Sequence, residues 1–219
     1  MKIVAVSDTH GTHRQVDLSN IEADTLIVAG DITNTGELSL IEDVCDWASN
    51  LQFKNKVLIC GNHEVGISAG PKRKKAIKLL KNHFTYLENS FEMIDGYKFY
   101  GSPATPYFCG WEWNYNRGIT IAEQWAKIPL DVDVLITHGP PYGVLDLVED
   151  NIYNVGRDLH QGCADLTNKL MELTNLKAHV FGHLHHSHGL LKINNTIFAN
   201  SAICNENYQP INPPHIFEI

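Results

Sequence analysis

Five short apolar runs in the chain each break off into a polar burst. KIVAV (2–6) runs into Ser7-Asp8-Thr9-His10, TLIVAG (25–30) into Asp31, KVLICG (56–61) into Asn62-His63, DVLIT (133–137) into His138, and AHVFG (178–182) into His183. Uninterrupted apolar runs of this length predict strands buried on both faces. Between them the period becomes helical. In ELSLIEDVCDWASNL (37–51), Leu38, Ile41, Val44, Cys45 and Ala48 share one stripe. PKRKKAIKLLKN (71–82) opens with a proline suited to a first turn and predicts a basic amphipathic helix. Residues 120–128 and 163–173 are predicted helices as well. Asp95-Gly96 and Asn194-Asn195 lie between β-rich runs as turn signals, so antiparallel strands are expected beside the parallel ones. Strands alternating with helices predict an α/β fold. The 219 residues show no repeat, low-complexity tract or long linker, which predicts one domain over 1–219. The least regular stretch is SPATPYFCGWEWNYNRG (102–118), rich in aromatics, Pro and Gly.

Composition narrows the function classes. The formal net charge of −8 argues against a non-specific grip on nucleic acid or an anionic membrane, which needs a basic face. That tally leaves out bound cations, so an anionic substrate stays compatible with it. The basic segment Lys72-Arg73-Lys74-Lys75 reads as a solvated helix face. The five cysteines are odd in number, widely spaced and without a CxxC, which predicts a reduced, cytoplasmic protein. The N-terminal apolar run is too short for a signal peptide, and no run approaches the ~20 residues of a membrane span.

The strand ends carry the chemistry. Asp8-x-His10, Asp31, Asn62-His63, His138 and His183-x-His185 all offer oxygen or imidazole nitrogen where α/β sheets gather their ligands. On extended backbone an i, i+2 pair points to one side, which would let each D-x-H or H-x-H pair reach one centre. Any one of these pieces has a bland explanation as a cap or turn. Five strands each ending in a ligand type predict a metal centre.

SDTH, GDIT, GNHE, THGPP and GHLH, spanning residues 7 to 185, together resemble the five motifs of the calcineurin-like metallophosphoesterase superfamily. FANSAICNENYQPINPPHIFEI, and more loosely PYFCGWEWNYNRG, resemble its metallophosphoesterase-domain-containing subgroup. The resemblance implies a four-layer αββα sandwich of two mixed β-sheets flanked by helices. It also implies two divalent ions per chain. Asp8, His10 and His185 would hold one and Asn62, His138 and His183 the other, with Asp31 bridging them. This oxygen and imidazole set suits Mn²⁺ or Fe best, with Zn²⁺ as the alternative. His186 would be an outer or surface residue.

The implied chemistry is attack on phosphorus by a hydroxide shared between ions about 3.5–4 Å apart. Catalysis would rest on His63, Asp31 and Asn62, with His63 protonating the leaving alkoxide. The ligand histidines need partners for their second nitrogens; backbone carbonyls, Glu64 and Asp133 are the candidates. Protein phosphatases of the superfamily carry GDxVDRG, whose Arg grips a dianion. Here the stretch is GDITNTG, with Thr35 at the Arg position and Asn34 at the second Asp. A diester needs less clamping, so the expectation is a phosphodiesterase for a small cyclic nucleotide, 2′,3′ or 3′,5′. The alternative is a broad phosphomonoesterase or nucleotidase; a nuclease or a silent metal-binding scaffold ranks lower. Asn34, His13, Arg14, Trp113, Asn116 and His188 are the candidate substrate-binding residues. Trp111 and Tyr115 could also stack on a base, and Arg117 could enter the site from its loop. Partners are expected to be the small diester, with neither membrane nor strong nucleic-acid binding. Superfamily members can be dimers, which allows a homodimer here.

Overall fold

The five apolar runs become parallel strands, and alternate residues along each face two different cores. The computed structural model describes residues 1–149 and 156–219. In chain order the strands are β1 (Lys2–Val6), β2 (Thr25–Ala29), β3 (Asn55–Ile59), β4 (Thr85–Tyr86), β5 (Ser90–Ile94), β6 (Tyr97–Ser102), β7 (Thr105–Pro106), β8 (Asn114–Tyr115), β9 (Val134–Thr137), β10 (Ala178–Phe181), β11 (Gly189–Ile193), β12 (Thr196–Asn200) and β13 (His215–Glu218). The helices are α1 (Leu38–Ser49), α2 (Arg73–His83), α3 (Ile119–Trp125) and α4 (Ala164–Leu170). One sheet has the order β13-β1-β2-β3-β4 and the other β11-β12-β10-β9-β6-β5. The β1, β2, β3 and β4 neighbours are parallel, and β13 closes that sheet antiparallel to β1. In the second sheet β6, β9, β10 and β12 are parallel, and β5 and β11 form antiparallel edges through the two turns expected from Asp95-Gly96 and Asn194-Asn195.

The layering follows from this alternation. Val4, Val6, Leu26, Val28 and Leu58 pack outward against Ile41, Val44 and Ala48 of α1 and Ala76 and Leu80 of α2. Their neighbours Ile3, Ala5, Ile27, Ala29, Val57 and Ile59 pack inward against Phe99, Val134, Ile136, Ala178 and Val180 of the second sheet. On the far side, Tyr100 and Leu135 pack against Ile121 and Trp125 of α3 and Leu166 of α4. The result is helix, sheet, sheet, helix, the αββα sandwich expected. Both faces of the central strands are buried, which is why their sequences read as continuous rather than alternating runs.

Two expectations shift locally. The basic helix begins at Arg73, and Pro71 lies in the turn before it. The irregular stretch 102–118 contains its own small parallel pair, Thr105 and Pro106 of β7 against Asn114 and Tyr115 of β8. Beyond β1, Ser7 bridges to Ala202, tying the end of the first sheet to the segment that leaves β12 of the second. That junction brings the polar ends of both sheets together. No helix among the described residues is long and apolar enough to cross a membrane.

Candidate metal centre

Seven side chains from both sheets converge at this junction. Asp8, His10 and His185 place one ligand atom each within 4.8 Å of one another, and so do Asp31, His138 and His183. Asp31 Oδ2 lies 3.2 Å from His138 Nε2 and 3.9 Å from His10 Nε2, so it stands between the two groups. Asn62 Oδ1 joins the second group, 2.9 Å from His138 Nε2. His185 Nε2 lies 3.4 Å from Asp8 Oδ1 and 3.4 Å from His10 Nε2.

The convergence does not use extended backbone. Asp8, His10, Asp31 and His183 have φ of 52°, 42°, 51° and 69°. Such left-handed conformations typically cost about 1–3 kcal/mol each outside glycine and cluster at functional sites. The D-x-H and H-x-H spacings therefore work through tight turns, not through the strand geometry expected from sequence. Glycines make the crowding feasible at two points. A Cβ on Gly182 would collide with the Asp8 carboxylate, and one on Gly61 with that of Asp31.

Three ring orientations are fixed by main-chain carbonyls. His10 Nδ1 lies 3.2 Å from Thr33 O, His138 Nδ1 2.9 Å from Ala29 O, and His185 Nδ1 2.9 Å from Asn205 O. A carbonyl oxygen only accepts, so each Nδ1 carries the hydrogen and each Nε2 presents its lone pair to the cluster when the ring is neutral. For these three rings the partners are carbonyls, one of the two kinds of candidate, and the acids Glu64 and Asp133 are engaged elsewhere. Glu64 is fully buried beneath the site and accepts from the amides of Asp31, Thr33 and Gly61 at 3.1, 2.9 and 2.6 Å. Asp133 accepts from the Lys98 amide.

Lone pairs and carboxylates aimed at one another need a positive charge between them. Burial opposes charge on His138, but Asp31 outweighs it and pushes this imidazole up to about 10. Burial likewise opposes His185, yet its bond to Asp8 raises it to about 8. The two carboxyls, despite burial, are held below their usual range, Asp8 chiefly by His185 and Asp31 by His138. Burial and the neighbouring His138 drop His183 to about 4. Burial and then the charge of Asp31 push Glu64 up to about 8. A pair of divalent ions would satisfy the same lone pairs, so the donor set fits them, and their uptake would release protons.

The centre opens into a cleft of about 550 Å³. Asp31, Asn62, His63, His183 and His185 form its floor; Tyr107, Phe108, Arg117, Leu147, Glu206 and Tyr208 stand on its walls. His63 donates from Nδ1 to Asn34 O at 2.8 Å, and its amide donates to Asp31 Oδ1 at 2.8 Å. Position 34 offers no acid, and the main-chain carbonyl of Asn34 orients the His63 ring instead. The His63 ring also comes within ligand distance of His10 and Asp31. Tyr208 packs its ring edge-to-face against His10 at 4.7 Å.

The candidate substrate residues fare less well. Asn34 is exposed and its side chain donates to His10 O at 3.3 Å. His13 is buried with Nε2 2.9 Å from Asp43. Arg14 is gripped by Asp43 and Asp46 at 2.8 and 2.6 Å, a pair spaced to hold it on the face of α1. Trp113 is buried in the core that α1 and α2 share with the first sheet, against which half-buried Tyr115 also packs. Asn116 uses its carbonyl to accept from the Ile121 amide at the start of α3. His188 stacks on His215 at 4.2 Å and bonds Pro213 O. None of these six lines the cleft. Arg117 does, donating to Gly162 O and Gln161 O at 2.6 and 2.8 Å. His186 also reaches the wall, 3.8 Å from Glu206. Tyr208 was missed; its only sequence signal was its place in the tail motif.

Residues 1–187 match the family described as calcineurin-like phosphoesterase. Metallophosphoesterase domain-containing protein 1 of Homo sapiens is 33% identical over 238 residues, covering 100% of this chain and 71% of that protein. A UPF0046 protein of Caenorhabditis elegans is 35% identical over 231 residues, covering 100% of this chain and 75% of that protein. Among solved structures, TT1561 of Thermus thermophilus superposes with a TM-score of 0.63 at 14% identity, over 91% of this chain and 88% of that one. That last likeness is one of fold.

Proposed function

Because the chain belongs to the calcineurin-like phosphoesterase family, we propose that it is a dinuclear-metal phosphodiesterase acting on a small diester, a 2′,3′- or 3′,5′-cyclic nucleotide. The observation that carries this reading is Asp31 Oδ2, set between two groups of buried ligand atoms at the floor of the cleft. Asp8, His10 and His185 would seat one ion, and Asn62, His138 and His183 the other, with Asp31 shared. Two such ions supply Lewis acidity at the phosphoryl group and a water acidic enough to be a nucleophile at neutral pH. Mn²⁺ or Fe suits the ligands best.

The chain's own groups do the rest. Asp8 and Asp31, both held below the usual carboxyl range, set the negative field that the ions would offset. His63, with Nδ1–H tied to Asn34 O, has Nε2 free; in its imidazolium form it would give the Nε2 proton to the departing oxygen and be left as the neutral Nδ1–H ring. Thr35 bonds Glu37 through its amide and hydroxyl, so nothing at that position clamps a dianion. This supports a diester, which carries one negative charge.

A second reading, phosphomonoesterase or nucleotidase, is favoured by Arg117 in the cleft wall. Rates on bis-p-nitrophenyl phosphate and p-nitrophenyl phosphate with added Mn²⁺ separate the two. The diesterase reading expects the first to be hydrolysed with the higher kcat/KM, followed by turnover of a cyclic nucleotide. Faster cleavage of the monoester, with no cyclic nucleotide turned over, replaces it with the second reading.

A further inference from the structure

We propose that Trp111 is a positioning residue for His63, a role that rests on the phosphodiesterase reading above, in which His63 serves the leaving oxygen. The indole stacks on the imidazole at 4.1 Å between centroids and 23° between planes. On another side His10 meets the same ring edge-on at 4.7 Å and 83°. The Asn34 carbonyl holds Nδ1. A single hydrogen bond leaves a histidine ring free to swing about its side-chain torsions. A stacked face and an edge contact remove that freedom and keep Nε2 at one place on the cleft floor.

The loop that carries Trp111 is built to hold it. In the run Trp111-Glu112-Trp113 the side chains take separate tasks. Trp113 is buried in the core beneath α1 and α2 and anchors the loop. Glu112 latches it to the His63 loop: its carboxylate accepts from the Gly66 amide at 2.8 Å and from the Ser68 hydroxyl. Its own amide donates to Asn62 O at 3.2 Å, one residue before His63. Asn114 adds a bond to Thr105 Oγ1 at 2.8 Å. Anchored on one side and latched on the other, the loop sets Trp111 against the imidazole. It is not among the residues that line the cleft, whereas Tyr107 and Phe108 are. A base-stacking role for Trp111 therefore has less support than a positioning role.

The test compares Trp111→Ala, Trp111→Phe, His63→Gln and the double variant Trp111→Ala/His63→Gln, all Mn²⁺-loaded. The substrates are bis-p-nitrophenyl phosphate, with a good leaving group, and a 2′,3′-cyclic nucleotide, with a poor one. Trp111→Ala is expected to lower kcat on the cyclic nucleotide about 10-fold or more with KM little changed, in the range of lost orienting contacts. The activated substrate should lose less than about 3-fold, because it scarcely needs an acid. Trp111→Phe should restore most of the loss. With His63→Gln already present, removing the indole should cost nothing more. Independently of turnover, the His63 ring-proton resonances of the metal-free protein should sit upfield in the wild type and move downfield in Trp111→Ala. A raised KM with unchanged kcat would mean that the indole touches substrate and overturns the proposal. So would additive losses in the double variant, or His63 resonances that do not move. If the Mn²⁺-loaded wild type cleaves no diester, the functional reading fails, and the resonance measurement still decides whether the indole holds the ring.

Discussion

Asp31 and His138, beneath the cleft, are 2% and 0% exposed, whereas Tyr107 and Phe108 on its rim are 63% and 59% exposed. The floor is assembled from the ends of β1, β2, β3, β9 and β10, each buried on both faces and tied into two sheets. The rim comes from connections between strands and helices. Floor residues accept strained backbone and opposed charges because the surrounding sheets over-determine their positions. Tyr107 and Phe108 are held through their main-chain amides, by Tyr115 O and Asn114 Oδ1, while their rings stay exposed. Under the proposed function, the chemistry would reside in the buried floor and the choice of substrate in the exposed rim.

The largest blow to the floor should be Asp31→Asn. Its carboxylate is the one group between both ligand sets, and losing several kcal/mol of charge stabilisation corresponds to a fall in kcat/KM of at least about 10³-fold. Bound metal should drop as well, read by elemental analysis. Full activity in this variant would place the chemistry elsewhere.

Next comes His63→Gln, expected to cost about 10²–10⁴-fold on a substrate with a poor leaving group. Both ions should stay bound. This separates an acid from a ligand, which matters because His63 lies within ligand distance of Asp31 and His10. Loss of an ion together with activity would make His63 part of the coordination.

A pH experiment sharpens the contrast between interior and rim. His179, on the strand leading to His183, is fully buried, and burial lowers its pKa to about 3. Its Nε2 lies 2.8 Å from the Thr137 hydroxyl, which in turn donates to Gly139 O. The unfolded chain takes up a proton near pH 6.5 that the folded one refuses until about pH 3. Stability from this group is therefore full above the unfolded value and declines as pH falls. Between pH 6.5 and 4.5 the loss should be about 2–3 kcal/mol. Denaturant melts of wild type and His179→Phe at the two pH values measure it; equal acid sensitivity in both would refute the assignment. No rim residue should produce such a slope.

Much of the floor was legible because two signals coincided there. Continuous apolar runs announced strands buried on both faces, and each ended in a ligand type. Asp8, His10, Asp31, Asn62, His138, His183 and His185 all meet at one place. What the pattern hid was the backbone: left-handed φ at Asp8, His10, Asp31 and His183 follows from tertiary crowding, which periodicity does not encode. The rim was largely illegible for a related reason. Arg14 and His13 are candidates that could enter the site from a loop, but Asp43 and Asp46 on α1 claim them. Trp113 and Trp111 are alike in sequence, yet one fills the core and the other faces His63. Such choices depend on which loop meets which, a long-range matter.

The smallest predicted effect lies on the rim. Phe108→Ala should raise KM for a cyclic nucleotide by roughly fivefold, about 1 kcal/mol of stacking, with kcat and metal content unchanged. An equal effect on bis-p-nitrophenyl phosphate would deny it a role in base recognition.

Anomalous X-ray diffraction from crystals soaked in Mn²⁺ bears on the shared aspartate without any assay. Two peaks are expected, one beside Asp8, His10 and His185 and one beside Asn62, His138 and His183, with Asp31 touching both. A single peak, or two that leave Asp31 uncoordinated, would contradict the dinuclear centre.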